Sequence, residues 1–170
     1  DFSKNKKLRT VGVNRTKALK EIAFNESCEV AILFNTSIKG IDLKALKQLK
    51  YFSYFNGPLK DINFSNNTNL EHVDILHTNV NSVDIKMLKK LKEFTCYGFQ
   101  IEELDISNNP ELEVVEIYGT NVKVLDVSNN HKLKRIEVDE GTEIIGVTNA
   151  EIRYWTKEDI KELRLNLLDD

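Results

Sequence analysis

The chain has 170 residues, 41% of them hydrophobic and 30% charged, and a net charge of −3. That is the composition of one ordinary folded domain. It contains no apolar run of membrane-spanning length and no basic stripe for nucleic acid: residues 1–85 carry 12 Lys/Arg against 9 Asp/Glu, and residues 86–170 carry 12 against 18.

The first seven residues, Asp1 to Lys7, are polar and lysine-rich and read as a flexible tail. The start, DFSKNKKLRT, lacks the apolar run of a signal peptide. At Leu8 a spacing begins that never stops until Val138. Leu8, Val11, Val13, Thr16 and Ala18 are followed by Cys28, Ala31, Leu33, Thr36 and Ile38, and further copies begin at Leu49, Leu70, Leu91, Leu112 and Leu133. The first interval is 20 residues and the other five are 21. The most regular copy is Ile101 to Asn121, IEELDISNNPELEVVEIYGTN. Self-similarity at such a period marks a solenoid, in which neighbouring units bury one another's apolar faces.

Each unit has two halves. One carries YFSYF, HVDIL, EFTCY or VVEIY, rich in the β-branched and aromatic residues that suit a pleated, half-buried surface. The other carries LDVSNN-like segments, in two units replaced by KAL or KML, where Leu43, Leu46 and Leu49 fall three apart. A segment that accepts either polar turn residues or a helical turn is poor strand material. Strands are therefore expected at 51–55, 72–76, 93–97, 114–118 and 135–139, with the LDVSNN half as turns. Its repeating Asp42, Asp84, Asp105 and Asp126, with Asn63, should bond turn amides.

The two half-patterns, L-x-x-L-x-V-x-x-T-x-V and L-x-x-L-D-V-S-N-N, together resemble the leucine-rich repeat family in its short bacterial form of about 21 residues. The resemblance runs from about Leu8 to about Val147. It implies an α/β-type, right-handed solenoid with a parallel β-sheet on its concave face and irregular or 3₁₀ turns on its convex face. It also implies recognition rather than catalysis, with no cofactor and no metal. The partner would be a protein, possibly a glycan, met at the bacterial cell surface or after secretion, with the cytoplasm as the alternative. Neither nucleic acid nor membrane insertion is expected, and the chain should be a monomer or weak homodimer.

One domain should thus fill residues 1–170, with about seven repeats over 8–147. After Val138 the pattern loosens through Ile144, Ile145 and Val147. Residues 148–170 are expected to form a cap. Thr156 and Asp159 resemble a capping box, so a helix is predicted over about 157–168, laying Ile160, Leu163 and Leu167 over the last repeat. Cys28 and Cys96 fall on apolar columns more than three repeats apart and read as small buried hydrophobes, too distant for a disulfide.

Alternation in the strand half sends three residues per unit outward. The third outward column holds Asn14, Phe34, Phe55, Leu76, Tyr97, Tyr118 and Asp139. Exposed contiguous apolar surface marks interaction sites, and aromatic residues lead among interface anchors. The candidate binding residues are Phe34, Tyr51, Phe55, His72, Asp74, Leu76, Tyr97, Glu116, Tyr118 and Glu137. Stacked rings can also simply steady neighbouring strands, which leaves a structural spacer or dimerisation scaffold as the alternative. His72, Asp74, Glu93 and Ser53 converge enough to sketch a metal site or a Ser–His–Asp arrangement. Neighbouring side chains on a ladder meet by construction, however, and no nucleophile elbow accompanies them.

Overall fold

The computed structural model describes residues 1–98 and 101–168, with side chains through Leu163 in the terminal helix. Numbered in chain order, the strands are β1 (Thr10–Asn14), β2 (Val30–Phe34), β3 (Tyr51–Gly57), β4 (His72–Thr78), β5 (Glu93–Tyr97), β6 (Val114–Ile117), β7 (Val124–Asp126), β8 (Arg135–Asp139), β9 (Glu143–Ile145) and β10 (Glu151–Trp155). Helix α1 spans Lys157–Leu168. Eight strands form one parallel sheet in the order β1-β2-β3-β4-β5-β6-β8-β10, and β7 pairs with β9 in a small second sheet.

The alternation that defines the strands is visible in burial. In β4, Val73 and Ile75 are sealed while His72, Asp74 and Leu76 are half-buried on the other face. Register carries this from strand to strand: Phe52 lies beside Val73, Val73 beside Phe94 and Phe94 beside Val115. One residue of slip would turn every apolar ladder to solvent. The opposite wall comes from the turn half, where Leu43, Leu46, Leu49, Ile85, Leu88 and Ile106 are buried.

The turns have a repeated construction. Leu46 N donates to Leu43 O (3.0 Å) and Leu49 N to Leu46 O (3.1 Å), successive bonds of the 3₁₀ kind. The expected Asp column closes each turn: Oδ1 of Asp42, Asn63, Asp84, Asp105 and Asp126 accepts the amide two residues on, at 2.9–3.0 Å. A second column is internal. Asn67, Asn109 and Asn130 are buried, and each Nδ2 donates to two main-chain carbonyls of the preceding unit. Surface charges alternate as Glu29, Lys50, Glu71, Lys92, Glu113 and Lys134, paired as Lys50–Glu29, Lys92–Glu71 and Lys134–Glu113. Exposed pairs add little stability each, but the alternation penalises misaligned units.

Three expectations are corrected. The first residues are not a loose tail: Phe2 N donates to Ala23 O (2.7 Å), Asn5 N to Phe2 O and Leu8 N to Asn5 O, the same turn as in every later unit. The segment DFSKNKKL is a D-x-S-x-N-x-x-L turn like DISNNPEL at Asp105, with Ser3 N bonded to Asp1 Oδ1. Strand character also enters the turn half where Val124–Asp126 meets Glu143–Ile145. Next, Glu151–Trp155 is an eighth strand of the main sheet rather than part of a cap. Helix α1 spans the expected residues, and its capping pair is formed: Asp159 N donates to Thr156 Oγ1 (3.1 Å) and Thr156 N to Asp159 Oδ2 (2.9 Å). Ile160 borders a groove beside Gly98, Gly119, Thr120 and Trp155, and Leu167 lies outside the described side chains.

Candidate binding face

The outward face of the sheet is built from the three columns that alternation leaves over, now with a rung from β10. Its first column runs Tyr51, His72, Glu93, Val114 and Arg135; its second runs Ser53, Asp74, Thr95, Glu116 and Glu137. Phe34, Phe55, Leu76 and Tyr118 are half-buried in the third column, as outward residues on closely spaced strands should be.

Along this third column the rings touch in a continuous file. Phe34 and Phe55 stack at 4.5 Å with an interplanar angle of 9°. Phe55 meets His77 edge-on at 5.3 Å, His77 meets Tyr97 edge-on at 4.5 Å, and Tyr97 meets Tyr118 at 5.0 Å. Tyr118 then stacks on Trp155 at 4.4 Å and 15°. Arg153 covers the outer face of Trp155, its guanidinium carbon 4.0 Å from the ring centroid. Offset-stacked and edge-to-face rings are both favourable arrangements.

Two members of this file were not foreseen, and one foreseen member differs. His77 follows Leu76 with φ of 49°, in the left-handed region, and that backbone turn brings its ring into line. Trp155 aligns with Asp139 across β8, yet reaches Tyr118 because Asp139 is short and turned away. The Asp139 carboxylate accepts Gly119 N (2.7 Å) and Thr120 N (2.9 Å). Tyr97, expected to be exposed, is only 2% exposed. The reason lies in its neighbours. A Cβ at Gly119 would sit 3.1 Å from the Tyr97 ring, so glycine there leaves room for the ring to lie down between His77 and Tyr118.

The polar rungs are satisfied locally. Tyr51 donates to Asp74 Oδ2 at 2.5 Å, and burial followed by this bond pushes the Tyr51 hydroxyl up to about 12. Burial, with the nearby Glu93 charge adding to it, raises the Asp74 carboxyl above its ordinary range despite the bond from Tyr51. His72 Nδ1 lies 3.2 Å from Glu93 Oε2. Thus Asp74 serves Tyr51 and His72 faces Glu93, and the sketched Ser53–His72–Asp74 relay is not assembled. Among the described residues no group of three or more His, Cys, Asp or Glu is placed to hold a metal ion.

Farther along, Glu116 accepts Arg135 Nη2 (2.5 Å) and Glu137 accepts Trp155 Nε1 (2.7 Å). Burial raises Glu116 as well, opposed by Arg135 and reinforced by Glu137. The Tyr118 hydroxyl is pushed up to about 12, first by burial and then by Glu116 and Glu137. An aromatic ridge therefore runs beside an acidic band.

No family model matches the chain, and no curated protein matches it. Solved structures do. The functional domain of InlJ from Listeria monocytogenes, which includes a cysteine ladder, superposes with a TM-score of 0.77 at 18% identity, over 85% of this chain and 32% of that one. Internalin C2 from Listeria monocytogenes superposes with a TM-score of 0.62 at 20% identity, over 66% of this chain and 52% of that one. The chain thus spans less than two thirds of the length of either. The likeness at these identities is one of fold, and Cys28 and Cys96 here are buried and unpaired. Parallel strands at a 21-residue period, a turn half on the opposite wall and this superposition give one conclusion: the chain folds as a leucine-rich-repeat solenoid.

Proposed function

We propose that the chain is a non-catalytic recognition module that binds a protein partner across the outward, concave face of its sheet. One observation carries this reading: a file of six rings from Phe34 to Trp155 crosses successive units on the outward side, where a solenoid needs no rings for its core. Repeat solenoids use such extended concave surfaces for binding, and half-buried aromatics are the common anchors of protein interfaces. The contact residues we assign are Phe34, Phe55, Leu76, Tyr118 and Trp155, flanked by Tyr51, His72, Asp74, Glu116 and Glu137. Tyr97 holds the file in place from beneath.

The arrangement favours a protein over a glycan. Phe34 and Phe55 use ring faces against each other, as do Tyr118 and Trp155, and Arg153 takes the outer face of Trp155. Sugars stack on open ring faces; the edges left here suit side chains of a polypeptide. The acidic band beside the rings calls for a basic patch on the partner, a pairing that speeds association more than it adds affinity. Likeness to the Listeria proteins supports a protein-interaction module of bacterial origin, placed at the cell surface or secreted. No described helix is long and apolar enough to cross a membrane.

The test is a paired substitution. Phe55→Ala with Trp155→Ala should retain the melting temperature to within a few degrees and abolish capture of partners that the parent chain retains. Lys89→Glu with Asn108→Ala, on the turn side, should leave capture unchanged. Equal capture by both variants would remove the ring file as the binding surface.

A further inference from the structure

Successive units leave the sheet through the same backbone turn. Arg15, Asn35, Asn56 and His77, each one residue beyond the third outward column, have φ of 48–51°. Left-handed backbone is uncommon outside glycine and Asn is enriched there, so Asn35 and Asn56 suit this rim. Two residues farther along the chain stand Lys17, Ser37 and Asn79. An open trough of about 410 Å³ lies between the two rows, with Thr36, buried, and Gly57, half-buried, among its lining residues. That volume is within the range of small-ligand sites.

The trough lies beside the first half of the ring file. Phe34 and Phe55 immediately precede Asn35 and Asn56, and His77 belongs to both. Its chemistry is different. Asn56 Nδ2 donates to Asn35 Oδ1 at 2.6 Å, which takes up that oxygen and leaves the Asn35 Nδ2 group as a donor. Ser37 adds a hydroxyl, and Lys17, exposed in the other row, adds an ammonium. Among the described residues that line the trough there is no Asp or Glu. Carboxylates of the same units are engaged elsewhere: Glu29 with Arg9 and Lys50, Asp42 with the Lys44 amide in its turn, and Asp74 with Tyr51 on the sheet face. Residues 1–60 as a whole carry 12 Lys/Arg against 5 Asp/Glu.

A guest cation here would face Lys17 with no carboxylate to offset it, and a neutral sugar would leave the ammonium without an anion. A carboxylate answers both, accepting from Lys17 Nζ and from the amide and hydroxyl donors.

We infer that this trough holds a carboxylate side chain from an acidic segment of the partner polypeptide. The inference rests on the recognition role proposed above. The partner is then polarised along the solenoid, with an acidic segment beside Phe34 and Phe55 and a basic patch beside Glu116 and Glu137. Opposite charges at the two places fix its direction across the units.

A blocked oligoglutamate peptide, added to the nitrogen-15-labelled full chain at physiological ionic strength, is the probe. The side-chain amide signals of Asn35 and Asn56 should shift saturably, while that of Asn129, exposed on the turn side, stays in place. Lys17→Glu, an exposed change, and Asn56→Asp, which keeps a residue tolerant of left-handed backbone, should each weaken the peptide about fivefold or more without moving the melt. Lys44→Glu, an exposed turn-side cation, should leave the affinity unchanged, which separates the trough from general attraction to a basic surface. Four results overturn the inference: no shift at Asn35 and Asn56, equal affinity in Lys17→Glu, equal loss in Lys44→Glu, or the same shifts from inorganic phosphate at equal concentration, which would make the guest a small anion. Each leaves the ring file standing, because capture by the Phe55→Ala, Trp155→Ala variant reads that claim separately.

Discussion

Asn109→Ala isolates the internal hydrogen-bond ladder from everything else in the repeat. Asn109 is 0% exposed, and its Nδ2 donates to Ile85 O at 2.8 Å and Leu88 O at 2.9 Å. Both carbonyls also accept turn amides, from Leu88 N and Leu91 N, so alanine leaves each with one bond rather than none. The loss is therefore two net hydrogen bonds at about 0.5–1.5 kcal/mol each, or about 1–3 kcal/mol. A small void adds to this, and release of Asn109 Oδ1, which finds no protein partner, offsets part of it. For a chain of this size about 2 kcal/mol lowers the melting temperature by about 4–8 °C. Asn108 supplies the control: it is exposed, its contacts are to Lys89 and Ser107 side chains, and Asn108→Ala should stay within about 0.5 kcal/mol of the parent. Thermal melts by circular dichroism read both. If Asn109→Ala melts with Asn108→Ala, the ladder contributes nothing and the reasoning fails.

Three further outcomes are expected. Gly57→Ala should destabilise by about 1–3 kcal/mol in a melt, because its Cβ would fall 2.0 Å from Tyr54 Oη, a hydroxyl held by Leu59 N at 3.0 Å. Asp74→Asn should raise the melting temperature at neutral pH, since the folded carboxyl sits above its ordinary 3.8 and its ionised form costs stability there. That advantage should shrink as pH falls through the raised value and vanish below 3.8; a gap that widens on acidification would reverse the sign of the argument. Tyr97→Ala should cost about 3–5 kcal/mol, as a buried ring, whereas Phe34→Ala on the half-buried end of the file should cost clearly less. Equal melts for the two would deny that Tyr97 is core.

The repeat was legible because burial alternates with period two inside strands and recurs every 21 residues between them, so Val73, Phe94 and Val115 announce themselves. Legibility failed where that regularity broke. Glu151–Trp155 pairs with β8 across a shorter interval than its predecessors, and the strand hid among cap-like residues. Asp1 to Leu8 carried the turn signature in full, but its lysines drew the eye to charge. Within the site, the outward column was readable and its packing was not. His77 enters by a left-handed turn that only backbone coordinates reveal, and Tyr97 is buried by the absence of a side chain at Gly119. Periodicity assigns a residue to a face; it does not say how far a large ring folds down against that face.

Oxidative footprinting of the chain with and without a captured partner tests the binding claim most directly. The ring file predicts that labelling of Phe34, Phe55, Tyr118 and Trp155 falls on complex formation, while Met87, 52% exposed on the turn side, is labelled as before. Protection of Met87 with the rings unchanged would place the partner on the opposite face and contradict the proposed function.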